Sequence, residues 1–163
     1  MLRALDNGLL RLLRTRGHDP QVERWVLAYT HAGEHGVMWH GIALVGVLLG
    51  GRRNRPAYWR SMRAVGVAYA ANTAVKYVFR RARPVLEAEL PHLAPTITGH
   101  SYPSAHSSMS FAAASTLSEV LPAPPLYLMA SAMALSRPYV GVHYPTDVLA
   151  GAVLGVAVGR LLR

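Results

Sequence analysis

The stretch SRPYVGVHYPTDVLAGAVLGVAVGRLL, residues 136–162, decides how this chain folds. Its second part, 148–162, is apolar except for Arg160 and has the length and composition of a helix. Along it Gly151, Gly155 and Gly159 recur at every fourth residue, a stripe that lets two helix backbones approach closely in lipid. Pro145 suits the first turn of that helix. The first part of the stretch gathers Arg137, His143 and Asp147 around one loop. Asp147 lies one helical turn beyond His143, where a carboxylate can hold one ring nitrogen and leave the other free.

Working outward, further apolar windows occupy residues 37–51, 57–79, 104–121 and 125–135. None is a clean run of about 20 apolar residues, the usual mark of a single span. It is their succession that implies a membrane. Gly46 and Gly50 repeat the four-residue spacing, and Tyr58 and Trp59 stand where a span would meet the interface. Leu2, Leu5, Leu9, Leu12 and Leu13 recur at helical spacing with Arg3, Arg11, Arg14 and Arg16 between them, the pattern of a basic helix lying in the interface. Residues 17–20 break it and 21–31 suit another short helix, while 51–56, 84–102, 122–125 and 137–145 are expected as loops or turns. The opening stretch is too charged for a signal peptide. The expected fold is all-α: a polytopic membrane bundle of five to six helices with a basic amphipathic N-terminal helix, in one domain over 1–163. Within it, 1–35 would form the N-terminal helices and 36–163 the catalytic bundle. A soluble helical bundle with a very apolar core is the competing reading.

Composition supports the membrane. The chain has 163 residues, 52% hydrophobic and only 15% charged, well below the usual quarter. It has no cysteine, which excludes disulfides, thiolate metal sites and a catalytic thiol. The net charge of +9 is carried by sixteen arginines and one lysine, Lys76. Such a balance suits an anionic surface or a phosphorylated substrate. A nucleic-acid module would be more charged and less apolar, so no nucleic acid is expected as a partner.

Ionisable groups inside apolar helices are costly and usually functional. Lys76 sits inside the window that Arg80, Arg81 and Arg83 close, and cations at a helix C-terminus are ordinary dipole partners. Pro103, Ser104, Ala105 and His106 open the next helix, whose free N–H groups suit an anion. If the window 37–51 ends on one side of the membrane, Lys76 with Arg83, Ser104 with His106, and Arg137 with His143 and Asp147 all fall on the opposite side. This constellation permits phosphoryl transfer. Lys76, Arg83 and Arg137 can bind phosphate oxygens, one histidine can attack phosphorus, and another can protonate the leaving oxygen. No metal and no cofactor are needed for it.

The spacing Lys76-x6-Arg83-Pro84, then Pro103-Ser104-Ala105-His106, then Ser136-Arg137-x5-His143-x3-Asp147 closely resembles the three-part signature of the type 2 phosphatidic acid phosphatase (PAP2) superfamily. The resemblance implies a phosphohistidine mechanism. His143 would be the nucleophile, Asp147 would orient it, and His106 would be the general acid. Lys76, Arg83, Ser104 and Arg137, with the backbone N–H of Ala105, would bind phosphate. The family usually has glycine where Ala105 stands, so a methyl group lies near the phosphate here. The short apolar chain looks like the membrane-bound lipid phosphatases, and is similar to small actinobacterial members proposed to dephosphorylate decaprenylphosphoryl-5-phosphoribose. The resemblance thus implies hydrolysis of a phosphate monoester or pyrophosphate on a prenyl or glycerolipid. Its partners would be the bilayer, a phosphorylated lipid and inorganic phosphate as product. Vanadium haloperoxidases share the signature, and a non-catalytic lipid-binding or transport protein is the remaining alternative. Neutral His143 and protonated His106 together predict a pH optimum from mildly acidic to neutral.

Two further patterns carry expectations. His31-Ala32-Gly33-Glu34-His35 fits a zinc-peptidase spacing, which on a helix would put both histidines on one face. No third ligand follows it, so no metal is expected. Arg52, Arg53, Arg55, Arg60, Arg63, Arg160 and Arg163 gather on one side, which the positive-inside rule makes cytoplasmic, so the site would face the extracytoplasmic side of the cell membrane. Five spans then put the basic N-terminal helix on the site's side. Either residues 21–34 add a sixth span or the N-terminus lies flat in the interface. Glu87, Glu89, His92 and His100 are candidates for headgroup contact or gating.

Overall fold

A computed structural model describes residues 2–85, 92–96 and 98–163; Glu87 and Glu89 lie outside the described residues. Its regular structure is helical: α1 (Leu2–Thr15), α2 (Pro20–Ala32), α3 (Val37–Leu49), α4 (Gly51–Phe79), α5 (Ala105–Leu117), α6 (Ala123–Tyr139) and α7 (Pro145–Leu161), with a 3-10 turn at Glu34–Gly36 between α2 and α3. Among the described residues the β-structure is one isolated antiparallel bridge, Ala82 to His100.

α5 is the central helix, packed against α3, α4, α6 and α7. Ten of its thirteen residues are buried, nearly all of them Ala, Ser or Thr. Small side chains explain how so short a helix can have neighbours on every side. Against α7 the fit is closest. A Cβ on Gly151 would stand 2.5 Å from the Ser104 carbonyl oxygen, one on Gly155 2.2 Å from that of Ser108, and one on Gly159 2.6 Å from the Ser115 Cβ. The glycine stripe is therefore the α5-facing edge of α7. Buried polar atoms on α5 find partners across the bundle: Trp39 Nε1 donates to Ser110 Oγ at 2.8 Å and Asn72 Nδ2 to Ser108 Oγ at 2.9 Å.

The outside is apolar. Leu44, Val45, Leu48, Leu49, Leu128, Leu135, Leu149 and Val153 are all exposed, a surface suited to lipid. No described helix is by itself long and apolar enough to cross a membrane; α2 and α3 pass that test only together, with a bend of 55° between them. The bend falls where His35 and Gly36 both take positive φ (50° and 72°). A Cβ at Gly36 would also meet Val65 Cγ1 at 2.6 Å. This break removes the premise of the zinc pattern: the helix ends at Ala32, so His31 and His35 do not share a helical face.

Four other expectations change. The basic stretch 51–56 is not a loop but the start of α4. Pro56 is tolerated because the carbonyl it leaves unpaired belongs to exposed Arg52, which water can reach. Arg137, Pro138 and Tyr139 are the last turn of α6 rather than loop. The helix beginning after Ser104 stops at Leu117, with turns up to Leu121. Tyr58 does not face an interface: it is buried, its ring filling the space over Gly46 and Gly50, whereas Trp59 is exposed.

α1 and α2 lie at the end of the bundle where α7 begins. Leu5, Leu9 and Leu12 of α1 are exposed, while Asp6 and Leu10 turn inward. A soluble protein would do the reverse; an interfacial helix presents its leucines to lipid.

Candidate active site

Five chain segments converge at that end. α4 delivers Lys76, the segment after it Arg81 and Arg83, the start of α5 Ala105 and His106, the end of α6 Arg137, and the loop into α7 His143 and Asp147. Lys76, Arg83, Ala105, His106, Arg137 and His143 line one cavity of about 300 Å³. Two expected residues do not line it. Ser104 is fully buried as the N-cap of α5, and Asp147 is fully buried behind His143.

The cations are held by neutral oxygen atoms. Lys76 Nζ donates to the His100 carbonyl at 3.0 Å, Arg83 Nε to Thr98 O at 2.7 Å, and Arg83 Nη1 to Val142 O at 2.8 Å. Arg137 Nη1 donates to Thr30 Oγ1. Its Nε is buried without a partner. Among the described residues no carboxylate stands within ion-pair distance of these three cations. Three buried or half-buried positive groups with no carboxylate in ion-pair distance make a site that is stabilised by a multivalent anion. The N-terminus of α5 adds backbone N–H groups at Ala105.

His143 is buried, with its two nitrogens in different surroundings. Nε2 lies 3.4 Å from Arg83 Nη1, and Nδ1 lies 3.6 Å from Asp147 Oδ2. The second distance exceeds a hydrogen bond, so the pair is aligned and slightly open. Burial, and then the charges of Arg137, Arg83 and Lys76, push the imidazole well below its ordinary pKa. The imidazole is therefore kept neutral. Burial likewise lowers Arg83, with Asp147 acting in the opposite direction. His106 Nε2 is 3.2 Å from the Thr30 carbonyl, which fixes its ring at the cavity wall.

Asp147 is held by a network. Oδ2 accepts from Tyr144 N at 2.9 Å and Oδ1 from Arg81 Nη1 at 2.7 Å. Arg81 also donates to Thr146 Oγ1 at 2.8 Å and through Nη2 to Asp6 Oδ2 at 2.7 Å, and its guanidinium lies 4.1 Å over the Tyr144 ring.

Sequence reasoning missed Arg81, Asp6 and Thr30. Arg81 stood among cations explained by the helix dipole. Its one distinguishing signal was position, two residues before Arg83. Thr30 supports both Arg137 and His106, and nothing local marks it. His92 and His100, expected near the headgroup, differ: His100 lines the cavity, whereas His92 Nε2 bonds to Pro84 O at 2.9 Å.

Fold and site together define a membrane phosphatase. The PAP2 superfamily pattern matches residues 57–163, and the chain belongs to that superfamily, as a lipid phosphate phosphatase. It is 39% identical over 156 residues to the decaprenylphosphoryl-5-phosphoribose phosphatase of Mycolicibacterium smegmatis, covering 91% of this chain and 82% of that one. With the protein of the same name from Mycobacterium tuberculosis it shares 35% over 136 residues, 82% of this chain and 74% of the relative. In structure it is similar to Aquifex aeolicus LpxE, with a TM-score of 0.82 at 24% identity, covering 97% of this chain and 94% of that one. It is also similar to a transmembrane PAP2 type phosphatidylglycerolphosphate phosphatase from Bacillus subtilis, with a TM-score of 0.79 at 22% identity, covering 99% and 84%.

Proposed function

We propose that this protein removes the terminal phosphate from a prenyl-linked phosphoribose, or a close relative of it, without a metal. The observation that carries the reading is the set of three cations, Lys76, Arg83 and Arg137, around one cavity that His106 and His143 also line. In this account Lys76, Arg83, Arg137 and the Ala105 N–H bind the phosphate oxygens. His143 Nε2 attacks phosphorus, the ester P–O bond breaks, and His106 gives its proton to the leaving oxygen. Asp147 stabilises the positive charge that forms on His143. Water, deprotonated by His106, then attacks phosphorus, inorganic phosphate leaves and His143 is regenerated. Ser104 acts from behind the wall, by capping α5 and so aiming its N–H groups. Thr73, Tyr77, Thr96, Thr98 and Glu34 also line the cavity, a wall that suits a polyhydroxylated ring between phosphate and lipid. The names of the mycobacterial relatives point to the same class.

Phosphate release from a panel at fixed detergent tests this: prenyl phosphates and pyrophosphates, prenylphosphoryl phosphoribose, phosphatidic acid and phosphatidylglycerophosphate. The expected result is the highest kcat/KM on the phosphoribose, unaffected by chelator. A preference for glycerolipids overturns the substrate, chelator sensitivity reversed by zinc overturns the metal-free mechanism, and no release from any overturns the activity.

In the same reading the helical bundle is multi-pass, with α2 and α3 forming one bent span, α1 lies in the interface on the site's side, and that side is extracytoplasmic. The arginines at the far end support this orientation. The chain has no cysteine, so single ones report topology. An impermeant maleimide on intact cells should label Val85→Cys and spare Arg53→Cys; the opposite pattern reverses the orientation.

A further inference from the structure

We infer that Asp6 of α1 is a positioning residue of the reaction. Through Arg81 it sets the orientation and net charge of the carboxylate that supports the nucleophile. The inference rests on the phosphohistidine reading above.

Asp6 is the one acidic residue of α1, and it faces away from both water and lipid, 3% exposed. Every partner it has belongs to the edge of the site. Oδ1 accepts from Thr146 N at 3.0 Å, and Oδ2 accepts from Thr146 Oγ1 at 2.6 Å and from Arg81 Nη2 at 2.7 Å. Arg81 spends its other terminal nitrogen on Asp147. One guanidinium thus bridges two carboxylates, and the second of these faces His143. Burial opposes charge on both members of the outer pair. Even so, the bonds from Arg81 and Thr146 hold the Asp6 carboxyl below its usual range, and Asp6 and Asp147 raise Arg81. Asp6 and Arg81 are therefore both charged.

The count of charge shows what Asp6 does. With Asp147 ionised, Arg81 and Asp147 alone are a neutral pair, a poor support for the cationic imidazole that forms when Nε2 takes the phosphoryl group. Adding Asp6 gives the trio a net charge of about −1, from two carboxylates and one guanidinium. Arg81 can then fix the Asp147 carboxylate in place without cancelling its field. Thr146, the second residue of α7, locks the same carboxylate to the turn that carries Asp147. Because Leu5, Leu9 and Leu12 of α1 face outward, the seat of α1 in the bilayer is joined to Asp147 by an unbroken chain of hydrogen bonds.

The test is Asp6→Asn, which keeps shape and removes charge, beside Leu10→Ala, which loosens the buried packing of α1 and leaves the charge. On a lipid phosphate, Asp6→Asn should lower kcat by about tenfold or more, the scale of groups that orient a reacting imidazole from behind, with KM within twofold. The acidic limb of the kcat/KM profile should move to lower pH. His143 faces Lys76, Arg83 and Arg137 on one side and Asp147 on the other, with His106 across the cavity. Removing a negative charge behind Asp147 makes the ring harder to protonate. Leu10→Ala should leave that limb in place. Titration of the His143 ring by nitrogen NMR in the substrate-free protein should show the same displacement, and it decides the inference even if the parent cleaves no lipid tested. Asp6→Asn with kcat within twofold of the parent, or with an unmoved His143 titration, overturns it. So does a loss matched by Leu10→Ala with the limb unmoved in both.

Discussion

The two ends of the bundle use the same residue type for different purposes. At the far end Arg60 pairs with Glu119, and Arg163 reaches the same carboxylate and the Ser115 carbonyl. Arg52, Arg53 and Arg55 there are exposed. At the site end Arg83 and Arg137 are withdrawn from solvent and rest on carbonyl and hydroxyl oxygens, with no carboxylate in ion-pair distance among the described residues. A cation that is paired or solvated has already met its electrostatic need. One that is buried and uncompensated holds affinity in reserve for an anion. Exposure and partner, rather than residue type, separate topology from chemistry in a chain of sixteen arginines.

The contrast can be broken or sharpened by substitution. The largest effect belongs to the proposed nucleophile: His143→Ala should cut kcat by at least ~10³-fold, measured as phosphate release. Next come the cations. Arg137→Gln should lower kcat/KM by about 10²-fold, the usual loss when one preorganised donor to a developing oxyanion is removed. Arg60→Gln at the far end should leave kcat/KM within twofold and cost about 1 kcal/mol or less in thermal unfolding, as exposed or half-exposed pairs do. Equal losses at the two ends would erase the distinction.

The smallest effect is on stability. His143 is neutral in the folded protein and titrates near pH 6.5 when unfolded, so the unfolded chain gains a proton first as the solution is acidified. Stability from this group is complete above about pH 6.5 and is lost as pH falls below it. The melting temperature should therefore drop between neutral and mildly acidic pH, and by less in His143→Ala. A parent whose melting temperature rises on acidification contradicts the burial of a neutral ring.

The legible and illegible parts of the molecule divide by sequence distance. The glycine stripe announced α7 and its close partner because its period is local. Lys76 through Asp147 announced the site because a buried lysine, a helix start with Ser and His, and a His one turn before an Asp each stand out in a short window. Thr30 and Asp6 do not. Thr30 meets Arg137 across 107 positions and Asp6 meets Thr146 across 140. On an amphipathic helix a lone aspartate looks like part of the polar face. Its inward direction follows only once α1 is seen with its leucines turned out. Helix limits at prolines were also hidden. Pro56 and Pro138 look like breaks, yet each lies inside a helix within about two turns of its end, removing one ladder bond without ending the helix.

The central claim is that His143 carries the phosphoryl group. Rapid quenching of turnover on a radiolabelled lipid phosphate, followed by peptide mapping, tests it most directly. The expected result is an acid-labile, base-stable phosphoryl group on His143 that forms and decays at least as fast as turnover and is absent in His143→Ala. Steady turnover with no labelled histidine, or label on His106 instead, would contradict it.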